Sequence, residues 1–284
     1  MQTNDGVTID VKRIVEAKKL ELKARVNNIK RKGIVPKLAV ILANDLEASK
    51  IYIRKKREMC SELGVEEVEY MLDENATTEK VLEIIERLNN DKNIHGILVQ
   101  LPVFKHLDER KILEAISPDK DIDGFHPLNI GKLVMGKEGI VACTPKGIMS
   151  IIKSTGVKVA SKTAVVVGRS IIVGKPISQL LLNADATVIT CHSKTKHLKK
   201  YTKMADILVV AAGVPHLITK EMVKKGALVV DVGINRVDGK VVGDVDTEEV
   251  KKVAKFVTPV PGGVGITTVV SLLENLVEMV ESLQ

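Results

Sequence analysis

A lysine stands where the pattern calls for an apolar side chain. Between Asn44 and Gly64 the chain has the composition of a helix. Advancing 100° per residue from Ser49 puts Ser49, Tyr52, Ile53, Lys56, Met59, Cys60 and Leu63 in one stripe roughly 120° wide. Lys50, Arg54, Lys55, Arg57 and Glu58 point elsewhere. The stripe is the face expected to meet the rest of the protein, and Lys56 lies near its centre. Burial disfavours the charged form of an amine, so Lys56 is a candidate neutral base near pH 7. The plain alternative is a lysine that runs its apolar stem along the surface and keeps its head in water.

A second group of residues fits a phosphate. Val165-Val166-Val167 ends at Gly168, a polar turn Arg169-Ser170-Ile171-Ile172-Val173 follows, and Gly174 opens a predicted helix. A buried parallel strand feeding a helix start presents N–H groups and a positive dipole end to an anion. The spacing is Gly168-x5-Gly174, with Ser170 in the middle glycine slot of the usual G-x-G-x-x-G. The next predicted strand ends about 20 residues further on, where an NAD site places a carboxylate for the ribose hydroxyl. Here that end reads Cys191-His192-Ser193-Lys194-Thr195, with no acid. A hydroxyl, a lysine and Arg169 suit a 2′-phosphate, so NADP is favoured over NAD. The alternative is a solvated basic loop.

Three polar clusters fall at or beyond predicted strand ends, where ligands bind in α/β sheets. They are Gln100-Leu101-Pro102, Asp121-Ile122-Asp123-Gly124-Phe125-His126-Pro127 and Pro259-Val260-Pro261-Gly262-Gly263-Val264-Gly265. Each taken singly also reads as a structural turn. No His or further acid at useful spacing completes a metal site on Asp121 and Asp123, and no metal is expected. Aromatic residues make up 2% of the chain, which leaves no stacking platforms for bases. The net charge of +7 is spread over many segments, so nucleic acid is not an expected partner. Three cysteines without a C-x-x-C pair read as thiols of a reducing compartment. No leader pattern opens the chain and no apolar run reaches about 18 residues, so a cytoplasmic protein without membrane association is expected.

These residues need a scaffold, and its elements are legible. Residues 10–32 form a charged helical pattern closed by Gly33, followed by a buried strand over 37–43. A helix ending at Gly64, a strand near 68–71, a helix over 78–89 and a strand over 96–100 complete a βαβαβ alternation. A polar segment, 118–139, interrupts it, and a helix over 144–155 leads into strands at 164–167, 186–190, 207–211, 228–232 and 256–258. The predicted fold is α/β with two domains. One is an N-terminal α/β catalytic domain (1–139 plus 268–284), which carries Lys56. The other is a Rossmann-type NADP-binding domain (140–267) with a doubly wound parallel sheet, and the active-site cleft is expected between them.

Taken together, the chain resembles the bifunctional methylenetetrahydrofolate dehydrogenase/methenyltetrahydrofolate cyclohydrolase family along essentially its whole length. The matching residues are Ala48-Ser49 with Tyr52-x-x-x-Lys56, Gly96 to Pro102, Asp121 to Pro127 with Asn129 and Gly131, and Cys143-Thr144-Pro145-x-Gly147. Further matches are Gly168-Arg169-Ser170-x-x-Val173-Gly174, His192 to Thr195, Asp231 to Asn235 and Pro259 to Gly265. The chain departs from the family where it reads Ala43-Asn44-Asp45-Leu46-Glu47 for the usual Val-Gly-Asp-x-Pro. It also has Ala142 for Pro, and Ile266-Thr267-Thr268 for Pro-Met-Thr. Ile266 lies in the loop expected over the substrate.

The resemblance implies oxidation of 5,10-methylenetetrahydrofolate by NADP and hydrolysis of the methenyl product to 10-formyltetrahydrofolate, within one-carbon metabolism and purine biosynthesis. It implies Lys56 as the catalytic residue of hydrolysis, Gln100 bonded to it or to the reacting water, Tyr52 stacked on the folate and Asp123 accepting from the pterin. Ser49, Pro261, Gly262 and Gly263 would line the substrate. Gly168, Arg169, Ser170, Ser193 and Ile234 would hold the cofactor, with Arg169 and Ser193 on the 2′-phosphate. A homodimer is the family's usual assembly. A dehydrogenase lacking the hydrolase step and a non-catalytic nucleotide sensor are the competing readings.

Overall fold

The computed structural model describes residues 6–283. The expected domain limits at residues 1 and 284 and the absence of a leader in Met1–Asp5 lie outside the described residues. The chain enters through β1 (Val7–Thr8) and the long helix α1 (Val11–Arg31), which buries Val15, Leu22, Val26 and Ile29 at helical spacing. There follow β2 (Lys37–Leu42), α2 (Glu47–Leu63), β3 (Glu66–Met71), α3 (Thr78–Asn90) and β4 (Gly96–Gln100). Gly64 stops α2 at φ +79°, a left-handed conformation that glycine adopts freely, and its N–H meets the carbonyls of Cys60 and Ser61. Thr77 starts α3, its hydroxyl accepting the Lys80 N–H. The three strands pair in parallel in the order β3-β2-β4.

Two short helices lie where the sequence shows no helical period. α4 (Glu109–Ala115) buries only Ile112, and α5 (Pro127–Val134) buries only Asn129 and Leu133. Neither buries enough apolar positions to mark a face. Caps define them instead: Asp108 accepts from the Lys111 N–H, and His126 accepts from the Leu128 N–H ahead of Pro127.

The second half runs α6 (Cys143–Ser154), β5 (Thr163–Val167), α7 (Gly174–Asn183), β6 (Thr187–Cys191), α8 (Leu198–Thr202), β7 (Ile207–Val210) and β8 (Leu228–Asp231). A small antiparallel hairpin, β9 (Asn235–Val237) with β10 (Lys240–Val242), precedes α9 (Thr247–Val250), β11 (Phe256–Val257) and α10 (Val264–Ser282). The large sheet has the order β1-β11-β8-β7-β5-β6, and its neighbours pair in parallel. From β5 onward this is a doubly wound sheet whose order reverses at β5, the place where such sheets bind ligands. Its central strands β5, β7 and β8 are buried on both faces, which is why they read as apolar runs rich in Val, Ile and Leu.

The chain divides into two compact units. One holds the described part of Met1–Glu16 with Thr144–Thr268; the other holds Ala17–Cys143 with the described part of Val269–Gln284. The sequence reading placed the first 16 residues with the catalytic domain. The described residues 6–16 group with the nucleotide sheet because β1 pairs with β11, and Val7 and Ile9 donate to the Lys255 and Val257 carbonyls at 2.8 and 2.9 Å. An exposed two-residue strand carries no pattern that could announce this. Ile41, Ile85, Ile97 and Ile112 centre one core, and Val165, Leu208, Val229 and Val257 the other. Among the described residues no helix is long and apolar enough to cross a membrane.

Candidate active site

The stripe read on α2 is the buried face of the helix: Ser49, Ile53, Lys56, Cys60 and Leu63 are buried, with Tyr52 half-buried beside them. Lys56 is 6% exposed, which excludes the surface-seeking alternative. Its Nζ donates to Gln100 Oε1 at 2.8 Å. Gln100 ends β4, and its Nε2 donates to the Leu101 carbonyl at 2.8 Å, so the amide oxygen is turned toward the lysine. Nζ also lies 5.8 Å from the centroid of the Tyr52 ring. Burial lowers the Lys56 pKa, with Asp123 the largest opposing influence. The helix thus holds a partly desolvated amine against an acceptor that can take one of its hydrogens and leave its lone pair for chemistry.

Asp123 is the electrostatic partner. Burial raises its pKa to about 6, against the pull of Lys56 and with a push from Asp121. The loop that carries it is fixed from several sides. Asp121 pairs in a β-bridge with Ile97, and its Oδ2 accepts from the His126 N–H at 2.8 Å and Asn129 Nδ2 at 2.9 Å. Both donors hold that carboxylate to the start of α5. Gly124, at φ +70°, has no room for a Cβ, which would lie 2.8 Å from the Ala142 nitrogen.

Three residues to which the sequence assigned no role support this arrangement. Asn44 donates to the Pro102 carbonyl at 2.6 Å while its Oδ1 accepts the Leu46 N–H at 3.0 Å, tying the end of β2 to the end of β4. Asn275 on α10 donates to the carbonyls of Ile122 and Val141, both at 2.9 Å. Cys143 Sγ donates to the Ile122 carbonyl at 3.5 Å and approaches Asp123 Oδ1 at 3.6 Å. A buried asparagine in an apolar helix was the available signal for Asn275, since burial of an amide requires partners.

The phosphate-type turn closes β5. Gly168 has φ +140°, and a Cβ there would stand 2.3 Å from the Ala211 carbonyl oxygen. A Cβ on Gly174 would stand 2.4 Å from the Gly168 oxygen, so both glycines are required by close backbone approach. Ser170 Oγ accepts the Val173 and Gly174 N–H groups at 3.1 and 3.4 Å, which holds the turn against the start of α7. Gly168 donates to the Cys191 carbonyl at 2.8 Å, so the exposed Arg169 and Ser193 sit on neighbouring strand ends. The 168–175 and 191–196 segments contain no carboxylate. An open turn, a helix start and uncompensated positive charge fit a phosphate-bearing nucleotide.

Ile234, after β8, is 60% exposed at the same end of the sheet. Pro261 is exposed, Gly262 has φ +89°, and a Cβ on Gly263 would meet the Pro259 oxygen at 2.2 Å. The structure therefore brings Lys56, Gln100, Tyr52 and Asp123 together in one unit, and places the predicted cofactor residues and Pro261 to Gly263 in the other.

Known proteins resemble the chain in both of its halves. Residues 9–123 match the model of the tetrahydrofolate dehydrogenase/cyclohydrolase catalytic domain, and residues 142–284 match that of the family's NAD(P)-binding domain. The bifunctional protein FolD of Exiguobacterium sibiricum is 51% identical over 273 residues, covering 96% of this chain and 99% of the relative. That of Campylobacter concisus is 51% identical over 278 residues, covering 98% and 96%. The crystal structure of FolD from Campylobacter jejuni superposes with a TM-score of 0.96 at 48% identity, covering 98% of this chain and 99% of that one. The Trypanosoma brucei enzyme, solved with NADP cofactor and an inhibitor, does so with 0.93 at 37%, covering 98% of each. With both domain models matched in order and half of all residues shared, the chain belongs to the tetrahydrofolate dehydrogenase/cyclohydrolase family.

Proposed function

We propose that the protein oxidises 5,10-methylenetetrahydrofolate with NADP and hydrolyses the methenyl product to 10-formyltetrahydrofolate. The carrying observation is Lys56, buried and bonded to Gln100, in a chain that also has a phosphate-type turn without a carboxylate. NADP, when bound, accepts the hydride. Gly168, Arg169, Ser170, Ser193 and Ile234 hold it, with Arg169 and Ser193 directed to the 2′-phosphate; the NADP complex of the Trypanosoma brucei relative supports the choice of nucleotide.

Loss of hydride from the methylene bridge leaves a cation shared by two flanking nitrogens, so that step needs alignment rather than a base. Tyr52 stacks on the folate, Asp123 accepts hydrogen bonds from the pterin, and Ser49, Pro261, Gly262 and Gly263 line the substrate. Hydrolysis does need proton transfer. As a water oxygen bonds to the bridge carbon, neutral Lys56 takes its proton. The resulting ammonium returns a proton to the ring nitrogen as the carbon–nitrogen bond breaks, and the remaining hydroxyl proton is released as the formyl group forms. Gln100 holds the amine in line throughout. The reading carries with it a cytoplasmic homodimer serving one-carbon metabolism and purine biosynthesis.

The test is a spectrophotometric assay with methylenetetrahydrofolate and each nucleotide, following reduced cofactor and methenyl product together. Wild-type protein should form both and then consume the methenyl species. Lys56→Met should abolish that consumption while the dehydrogenase rate falls less. Full hydrolysis by the variant would remove Lys56 from the mechanism. Methenyl product that accumulates with wild-type protein would favour a dehydrogenase alone.

A further inference from the structure

Two buried carboxylates tie together the loops that follow β7 and β8. Asp231, the last residue of β8, accepts from the Gly233 and Asp244 N–H groups on Oδ1 at 2.9 and 3.0 Å, and from Val245 on Oδ2 at 3.0 Å. Asp244 in turn reaches across to the neighbouring loop. Its Oδ2 accepts from the N–H groups of Ala212 and Gly213 at 2.6 and 2.9 Å. Its Oδ1 accepts from the Val214 N–H and from Asn235 Nδ2, both at 2.9 Å. Asp244 is 0% exposed.

The surrounding chain is shaped around these oxygens. A Cβ on Gly233 would stand 2.3 Å from Asp244 Oδ1, and one on Gly243 would stand 1.8 Å from Asp231 Oδ2. The chain of contacts continues to the phosphate-type turn: Ala211 donates to the Val167 carbonyl at 2.8 Å, and its own oxygen lies against Gly168. The two tied loops carry Val214 and Ile234, apolar side chains 46% and 60% exposed at the carboxyl ends of parallel strands. A buried carboxylate holding four donors fixes a single backbone shape, whereas an apolar residue of similar size would fill the space without doing so.

We propose that Asp244 is a positioning residue of the dinucleotide site: by holding Ala212 to Val214 and Asn235 it keeps both loops in the shape that receives the cofactor. Its effect is on cofactor binding, and the hydrolytic step at Lys56 is independent of it. The inference rests on the NADP reading above.

The test compares wild type, Asp244→Asn and the milder Asn235→Ala, measuring the Michaelis constants for NADP and for methylenetetrahydrofolate. Hydrolysis of supplied methenyltetrahydrofolate without nucleotide is measured beside them. For Asp244→Asn the NADP constant should rise about tenfold or more, and for Asn235→Ala by about two- to fivefold, since one of four donors is lost. Hydrolysis and the folate constant should stay within about twofold, the change expected where no contact is lost. An unchanged NADP constant in Asp244→Asn, or hydrolysis falling in parallel with NADP use, overturns the inference. Should Asp244→Asn not fold, Asn235→Ala decides, and an unchanged NADP constant there overturns it equally. A wild-type protein that uses no nicotinamide nucleotide overturns both this inference and the NADP reading, whereas NADP use with unaltered variants overturns this inference alone.

Discussion

Lys56 and Asp123 set each other's charge, and the pH response of hydrolysis follows from that pairing. Burial lowers the lysine pKa and the Asp123 carboxylate raises it. On the proposed mechanism the base is the neutral amine, which is present above the lysine pKa, so hydrolysis should be lost as pH falls through that value. Removing the carboxylate charge in Asp123→Asn should lower the lysine pKa further and move the acid limb of the kcat profile to lower pH. Profiles at saturating methenyltetrahydrofolate read this directly; a limb that stays or moves up would contradict the coupling of the lysine to that carboxylate. Lys56 was legible in the sequence because a charged residue on an apolar stripe breaks a period. Asn44, Cys143 and Asn275 were not, because each acts on backbone atoms far along the chain, such as the Ile122 carbonyl 153 residues before Asn275.

The turn between β5 and α7 depends on an absent side chain. Gly168→Ala would put a Cβ 2.3 Å from the Ala211 oxygen at φ +140°, and relief of that clash must shift the loop after β7 or the turn itself. A stability loss on the order of 1–3 kcal/mol is expected from overpacking of this kind, with NADP affinity falling more than folate affinity. Thermal unfolding with and without NADP checks both, and a variant stabilised by NADP as much as wild type would refute it. The glycine spacing and the strand before it were readable because a strand buried on both faces leaves an unbroken apolar run. α4, α5 and the β9–β10 hairpin were not, since each buries one or two side chains or exposes most of its residues.

The whole chain carries two separable chemistries, and a mixing experiment tests that separation. Lys56→Met should make methenyl product without hydrolysing it. Arg169→Ala should raise the Michaelis constant for NADP much more than that for NAD, and leave hydrolysis in place. Supplied together at low NADP, the two variants should convert methylenetetrahydrofolate to the formyl product faster than either alone; no gain over the single variants would contradict the division of labour. Composition, strand periods and glycine-bounded turns were enough to reveal an α/β chain, the βαβαβ half, the doubly wound half and candidate residues for base and phosphate chemistry, because each is a short-range regularity. The grouping of residues 6–16 with the nucleotide sheet, the clasp of Asp244 on a loop some 30 residues earlier, and the pairing of Lys56 with Gln100 arose from packing. Such partners meet through strand order and burial, and a linear string of residues carries no local trace of which distant backbone group a buried side chain will find.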